Sequence, residues 1–238
     1  MSDVPEQHGI ETFQAEGLSF PPDAATAAAA NARAELYERA AADPVAFWAE
    51  QARELLTWRK PFTKTLEWEL PFAKWFDDGE LNVSENCVDR HVAAGRGEKV
   101  AFHWIGEPGD RRTVTYNDLL REVQKTANAL KALGVAKGDR VGLWSPNYAE
   151  WTLLQFATAE IGVVLVNINP SYRTHELAYA VNQSGCRWVV ASPTFKTSDY
   201  RTMVDEVRVE CPTLERAVFF WDDDWEALCA GSDEISDQ

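Results

Sequence analysis

Across residues 116–221, helix-length stretches with apolar residues three and four apart alternate with short apolar runs bounded by turn residues. This alternation predicts strands joined by crossover helices. A helix over 117–133 is expected to end at Gly134 in a left-handed cap, after which VAKGDR turns the chain into the strand VGLW. Ser145 and Pro146 are placed to start the next helix, whose WTLLQFATAEIG stretch is apolar on most faces and so predicted to be buried, with Gly162 closing it. VVLVNIN reads as a strand and runs into a loop at 170–173, and Thr174 is positioned to cap a helix ending at Gly185. The strand RWVVA, a helix over 198–209 and a strand near 217–220 complete the series. The fold class that follows is α/β, a parallel sheet with crossover helices covering both faces.

The chain before residue 116 is patterned differently. Residues 1–22 carry no apolar periodicity and read as a disordered leader. Asp23 is placed to cap an Ala-rich helix running to about residue 42, and Asp43 a second helix with Pro44 at its first position. Val45, Trp48, Ala52 and Leu55 fall at helical spacing and predict one apolar face. Residues 61–76 mix aromatics with prolines and suit an extended segment, while period-two alternation on either side of EPGD predicts a β-hairpin over 101–106 and 111–116.

A hydrophobic share of 45% supports a packed body, and the formal net charge of −15 makes a nucleic-acid backbone or an anionic membrane surface an unfavourable partner. No stretch has the apolar length of a membrane span and the N-terminus lacks a basic segment followed by an apolar core, so a cytoplasmic location is expected. Cys87, Cys186, Cys211 and Cys229 form no CxxC pair and have no histidine in zinc-ligand spacing. They predict buried reduced thiols and no metal site.

Two stretches carry a family resemblance. DPVAFWAEQARELLTW from Asp43 and KWFDDGELNVSENCVDRH at 74–91, together spanning 43–91, resemble the N-terminal region of acetyl-CoA synthetases. Residues 116–187 resemble the large domain of AMP-forming acyl-CoA synthetases of the adenylate-forming superfamily. Within 141–200, SPNYAEW and NINPSYRTHELAYAVNQSG are more similar to medium- and long-chain fatty-acyl-CoA synthetases than to acetate enzymes. The resemblance implies an acetyl-CoA-synthetase-like helical and extended region at 23–98, the first part of an AMP-binding large domain at 99–221 and an acidic tail at 222–238.

It further implies a ligase parent that joins a small carboxylate to coenzyme A using ATP and magnesium, in fatty acid metabolism. In that family a Ser/Thr/Gly-rich loop ending in Pro-Lys-Gly cradles the phosphates. Such a loop is not in this sequence, and AGRGEK at 94–99 and GVAKGDR at 134–140 lack P-loop spacing and read as turns. The adenine-binding strand, the ribose-binding aspartate and the C-terminal lysine domain are likewise not found. The chain therefore reads as an N-terminal fragment, inactive by itself and without tight binding of ATP, magnesium or CoA. A complementing chain could supply the remaining parts, and the alternative is a non-catalytic scaffold that pairs with a full-length synthetase.

No catalytic residue is assigned. The resemblance puts Asn169, Pro170 and Tyr172 beside a coenzyme A channel and Arg187 near its nucleotide phosphates, although the spacing to Arg187 differs and a surface arginine leading into a strand is the favoured reading of it. His91, His103 and His175 lack an adjacent nucleophile and oriented carboxylate and read as structural. The run Asp222–Asp224 lacks calcium-loop spacing, so solvent is its expected partner.

Overall fold

The computed structural model describes residues 19–232, and the chain divides into two compact units, 1–54 and 55–238. In the first unit the Ala-rich stretch forms two helices, α1 (Ala24–Ala29) and α2 (Ala34–Ala42), where one was expected. Asp23 does cap α1, its carboxylate accepting from Thr26 N at 2.9 Å. Neither helix buries a residue, and short helices without a packed face propagate poorly, so the chain turns extended at Ala30 and again at Arg33. Helix α3 (Pro44–Leu55) starts as predicted, with Asp43 Oδ1 accepting from Ala46 N at 2.9 Å. Its face is rotated from the expected one. Phe47, Ala49 and Ala52 are buried, whereas Val45, Trp48 and Leu55 are exposed, because spacing fixes the period of a stripe and leaves its phase open wherever two large apolar residues are adjacent.

The second unit opens with an antiparallel hairpin, β1 (Leu66–Glu69) and β2 (Phe72–Trp75), which gives residues 61–76 more regular structure than an extended segment. Two π-helical turns follow, Glu85–Asp89 and Val92–Arg96. The hairpin around EPGD is β3 (Val100–Ile105) with β4 (Arg111–Thr115). Thr115 and Asp118 form a reciprocal capping box that starts α4 (Tyr116–Ala132), and Gly134 follows it with φ +85°.

Four parallel strands form the sheet: β5 (Arg140–Trp144), β6 (Val164–Ile168), β7 (Trp188–Ala191) and β10 (Arg216–Phe219), in the order β10-β7-β5-β6. Helices α5 (Ala149–Glu160), α6 (Thr174–Ser184) and α7 (Tyr200–Val207) connect them, with the two-residue strands β8 (Thr194–Phe195) and β9 (Ser198–Asp199) between β7 and α7. Helix α5 begins four residues after Ser145, since Ser145 and Pro146 still belong to the strand exit, and Arg173 rather than Thr174 is the N-cap of α6.

Side-chain alternation along the strands builds two cores. Val141, Leu143, Trp188, Val190 and Val218 join α4 and α5 on one face, while Trp144, Val189 and Ala191 join α6 and α7 on the other. Gly142 lies on the second face in close packing, where a Cβ would stand 3.0 Å from Ile168 Cδ1 and press on that side chain.

Of the acidic segment expected at 222–238, residues 233–238 lie outside the described residues. Asp223–Cys229 form α8, and buried Trp225 meets Phe220 edge-on at 4.8 Å. Within the run Asp222–Asp224, two of the three carboxylates have arginine partners while Asp223 and Asp224 stay exposed. Asp222 pairs with both terminal nitrogens of Arg201, and Asp224 pairs with Arg216 at 3.2 Å. Of the cysteines, Cys186 and Cys211 are buried as expected, whereas Cys87 is exposed and Cys229 half-buried. Among the described residues no helix is long and apolar enough to cross a membrane.

Candidate functional site

The strand order reverses at β5. The chain goes from β5 to β6 on one side and then crosses back to β7 on the other, so the helices following β5 and β7 pack on opposite faces. In open α/β sheets a crevice forms at the carboxyl ends of the strands flanking such a switch. Three apolar strands here leave the sheet through a polar residue and a proline: Ser145-Pro146, Asn169-Pro170 and Ser192-Pro193. Proline cannot continue the ladder, so each strand stops at the same level and the rim is lined by short polar groups.

Two buried aromatics fix this rim. The rings of Trp144 and Tyr200 stack with centroids 3.5 Å apart and planes 4° from parallel, and neither residue is exposed. Trp144 Nε1 donates to Asn169 O at 3.0 Å, and the Tyr200 hydroxyl donates to Pro170 O. Burial pushes the Tyr200 phenol well above its ordinary range, so it stays a protonated donor. Asn169 Oδ1 then accepts from Ser171 N at 2.8 Å, which shapes the loop leading to exposed Tyr172. Ser192 N donates to Trp144 O at 3.2 Å and ties the exit of β7 to that of β5.

Asn169, Pro170 and Tyr172 are thus brought together, and Arg187 is not. Arg187 precedes β7, level with Arg140, which puts it about 16 Å from Asn169 along the strands at about 3.3 Å per residue. Its guanidinium is already occupied. Nη1 donates to both oxygens of Asp139 at 3.0 Å, while Nε and Nη2 donate to Glu215 at 2.8 and 3.0 Å. It joins the entrances of β5, β7 and β10, the surface-arginine reading of its position.

Beside the exit rim a cavity of about 260 Å³ is lined by Arg173, Thr174, Thr197, Ser198, Asp199 and Glu206, among others. Arg173 Nη1 donates to Ser198 Oγ at 2.7 Å across it. The cavity lining presents hydroxyls, the Arg173 guanidinium and the carboxylates of Asp199 and Glu206, whereas Ser145 and Ser192 at the strand ends are buried and bond Pro146 O and Thr194 O. Trp144, Tyr200 and Ser192 were not singled out from sequence. The repeated polar-proline pair after each apolar run was the signal available for the strand ends, whereas nothing local joins Trp144 to a tyrosine 56 residues later.

Of the histidines singled out, His175 is exposed at the start of α6. His91 packs against Tyr116 at 4.9 Å, with burial and then the charge of Arg96 lowering its pKa, and His103 Nδ1 lies 3.1 Å from Thr113 Oγ1. The two glycine-bearing stretches are turns, with φ +74° at Gly95, +85° at Gly134 and +88° at Gly138. Among the described residues no group of three or more His, Cys, Asp or Glu side chains is arranged to hold a metal ion.

Comparison with known proteins places this fold among its relatives. The profile of the AMP-binding enzyme family matches residues 89–236, and that of the acetyl-coenzyme A synthetase N-terminus matches 33–87. The chain is 57% identical over 148 residues to acetyl-coenzyme A synthetase of Mycobacterium tuberculosis, covering 61% of this chain and 23% of the relative. It is 41% identical over 214 residues to that of Gemmatimonas aurantiaca, covering 88% and 33%. Acetoacetyl-CoA synthetase from Streptomyces lividans is similar in structure, with a TM-score of 0.73 and 26% identity over 87% of this chain and 34% of the other. The chain thus spans a quarter to a third of the length of such relatives.

Proposed function

The chain belongs to the AMP-binding enzyme family, and from that premise we propose that it serves as the N-terminal portion of an AMP-forming synthetase joining a small carboxylate to coenzyme A. In the proposed reaction the carboxylate oxygen attacks the α-phosphate of ATP and expels pyrophosphate. The thiol of CoA then takes the acyl group and AMP leaves. The observation carrying this reading is the order of the two profile matches, 33–87 and then 89–236, which run almost without interruption along one chain. Acetate is the favoured size of substrate because the first match and the curated relatives are acetyl-CoA synthetases.

The 238 residues contribute binding surface rather than the reacting groups. Asn169, Pro170 and Tyr172 are proposed to border the CoA channel, supported by a loop that Trp144 and Tyr200 hold rigid from below. Arg187 is left out of that surface, since its donors are used by Asp139 and Glu215. Magnesium would neutralise phosphate charge in such a reaction. The described residues present no matching cluster, and no step here is routed through it.

Phosphate transfer needs all reacting parts positioned together. The phosphate-cradling loop is not among these residues, so the isolated polypeptide is expected to form no acyl adenylate. Acetate-dependent exchange of pyrophosphate into ATP, measured on the purified 238-residue protein against a mock preparation, should show no excess; clear exchange would overturn this. In a synthetase carrying these residues, Tyr172→Ala and Asn169→Ala should raise KM for CoA and leave the exchange half-reaction, which uses no CoA, unchanged.

A further inference from the structure

Glu150 lies in the first turn of α5, just beyond the exit of β5, and the residue is only 7% exposed. A buried carboxylate costs free energy unless donors meet it. Two donors reach its Oε1, from segments 38 residues earlier and 71 residues later in the chain. Arg112 Nη1 in β4 donates at 2.9 Å, and Trp221 Nε1, beyond β10, donates at the longer distance of 3.4 Å. Oε2 is sealed from solvent and has no hydrogen-bond partner among the described residues.

Both donor segments also grip the loop that joins β5 to α5. Trp104 stands opposite Arg112 in the hairpin, and its Nε1 donates to Asn147 O at 3.1 Å. The Arg112 guanidinium lies 5.1 Å from the centre of the Trp104 ring, which ties the two side chains into one contact. On the other side the Trp221 ring meets Tyr148 edge-on at 4.7 Å. Trp221 has φ +63°, a left-handed backbone that bulky residues rarely adopt and that persists only where surrounding contacts hold it. Tyr148 and Glu150 supply such contacts.

The gripped loop runs straight into the rim. Residues 145–148 follow Trp144, whose Nε1 donates to Asn169 O, so a displacement of the loop reaches the 169–172 segment through a single residue. We propose that Glu150 is a positioning residue: by accepting from both the hairpin and the segment beyond β10 it clamps residues 145–148 and, through Trp144, holds the 169–172 loop in place for coenzyme A. The part concerning coenzyme A rests on the proposed CoA-side role of Asn169 and Tyr172. Arg112 has half of its side chain exposed and can turn to water when its acceptor is lost, so deleting Glu150 removes the link without stranding a buried charge.

Hydrogen exchange on the 238-residue chain reads the clamp directly. Glu150→Ala should lower the protection of the β3–β4 amides around Trp104 and of the Phe220 and Asp222 amides together, by about ten- to a hundredfold, the loss expected of a hydrogen bond to a charged group. The amides of α6, on the other face of the sheet, should keep theirs. Trp221→Phe removes only the indole N–H and should affect the Phe220 and Asp222 amides while sparing the hairpin. A response of one segment alone to Glu150→Ala, or an equal fall in α6, would overturn the clamp. Glu150→Gln keeps an acceptor without the charge, and should move the same amides by less; it decides if the alanine variant does not fold. In a synthetase carrying these residues, Glu150→Gln should raise KM for CoA several-fold and leave pyrophosphate exchange unchanged. An unchanged KM overturns the positioning role, and if Tyr172→Ala leaves it unchanged too, the CoA-side reading of the rim falls with it.

Discussion

At the exit rim of the sheet, Trp144 and Tyr200 close the strand ends with a stacked, fully buried pair whose polar atoms bond neutral carbonyls of the Asn169 loop. The entrance rim closes instead on Arg187, held between Asp139 and Glu215 in solvent-exposed ion pairs. Both arrangements bind three elements together, but their energetics differ. Apolar stacking and sealed hydrogen bonds depend little on salt or pH, whereas exposed ion pairs are screened and worth little each. The difference suits the two ends to different duties. The exit rim is held from beneath by side chains that need nothing from solvent, while the entrance rim uses its charges on itself.

The largest expected effect is at the exit rim. Trp144→Ala removes a fully buried indole from a core that cannot collapse around the gap, and should cost about 3–5 kcal/mol in urea denaturation. A loss near or below about 1 kcal/mol would mean that the rim does not rest on this stack. Tyr200→Phe keeps the ring and removes only the donor to Pro170 O, so a smaller cost of about 1 kcal/mol is expected. Its distinctive result should be local. Exchange protection should fall in the loop at 169–173 while the helix α7 that carries residue 200 keeps its own, which separates loop anchoring from general packing.

The contrast between the rims also shows what the sequence could disclose. Strands β5, β6 and β7 were legible because each is a short apolar run, and the turns at Gly134, Gly162 and Gly185 were legible because all three glycines take left-handed φ, between +68° and +85°. The start of α5 was not. Tyr148 caps it without a side-chain hydrogen bond, while Ser145-Pro146 imitates a helix start at a strand end. Helix α8 was hidden by Asp222–Asp224, whose acidity reads as solvation until Arg201 and Arg216 are seen beside it. The loop at 169–173 lies within one contiguous stretch, so its turn residues could be read locally. The reach of Arg187 to Asp139, 48 residues earlier, and to Glu215, 28 later, is a property of strand order, which local pattern does not encode.

The smallest expected effect isolates the entrance rim by pH. The carboxyl of Asp139 is held below the usual range by the backbone N–H of Ala136 and then by the Arg187 guanidinium. A depressed folded pKa stabilises the protein above the unfolded value near 3.8 and loses that contribution as pH falls through the folded value. Asp139→Asn should therefore cost under about 1 kcal/mol at neutral pH, consistent with a pair open to solvent. It should also flatten the stability profile only below about pH 4. Chemical denaturation at stepped pH, with and without added salt, measures both. The Trp144 and Tyr200 variants should run parallel to wild type over that acid range, because neither the stacked pair nor its carbonyl partners carry a group that changes charge there. If they do not, the rims are coupled through the body of the sheet, and the separation drawn between the stacked and the ion-paired ends fails.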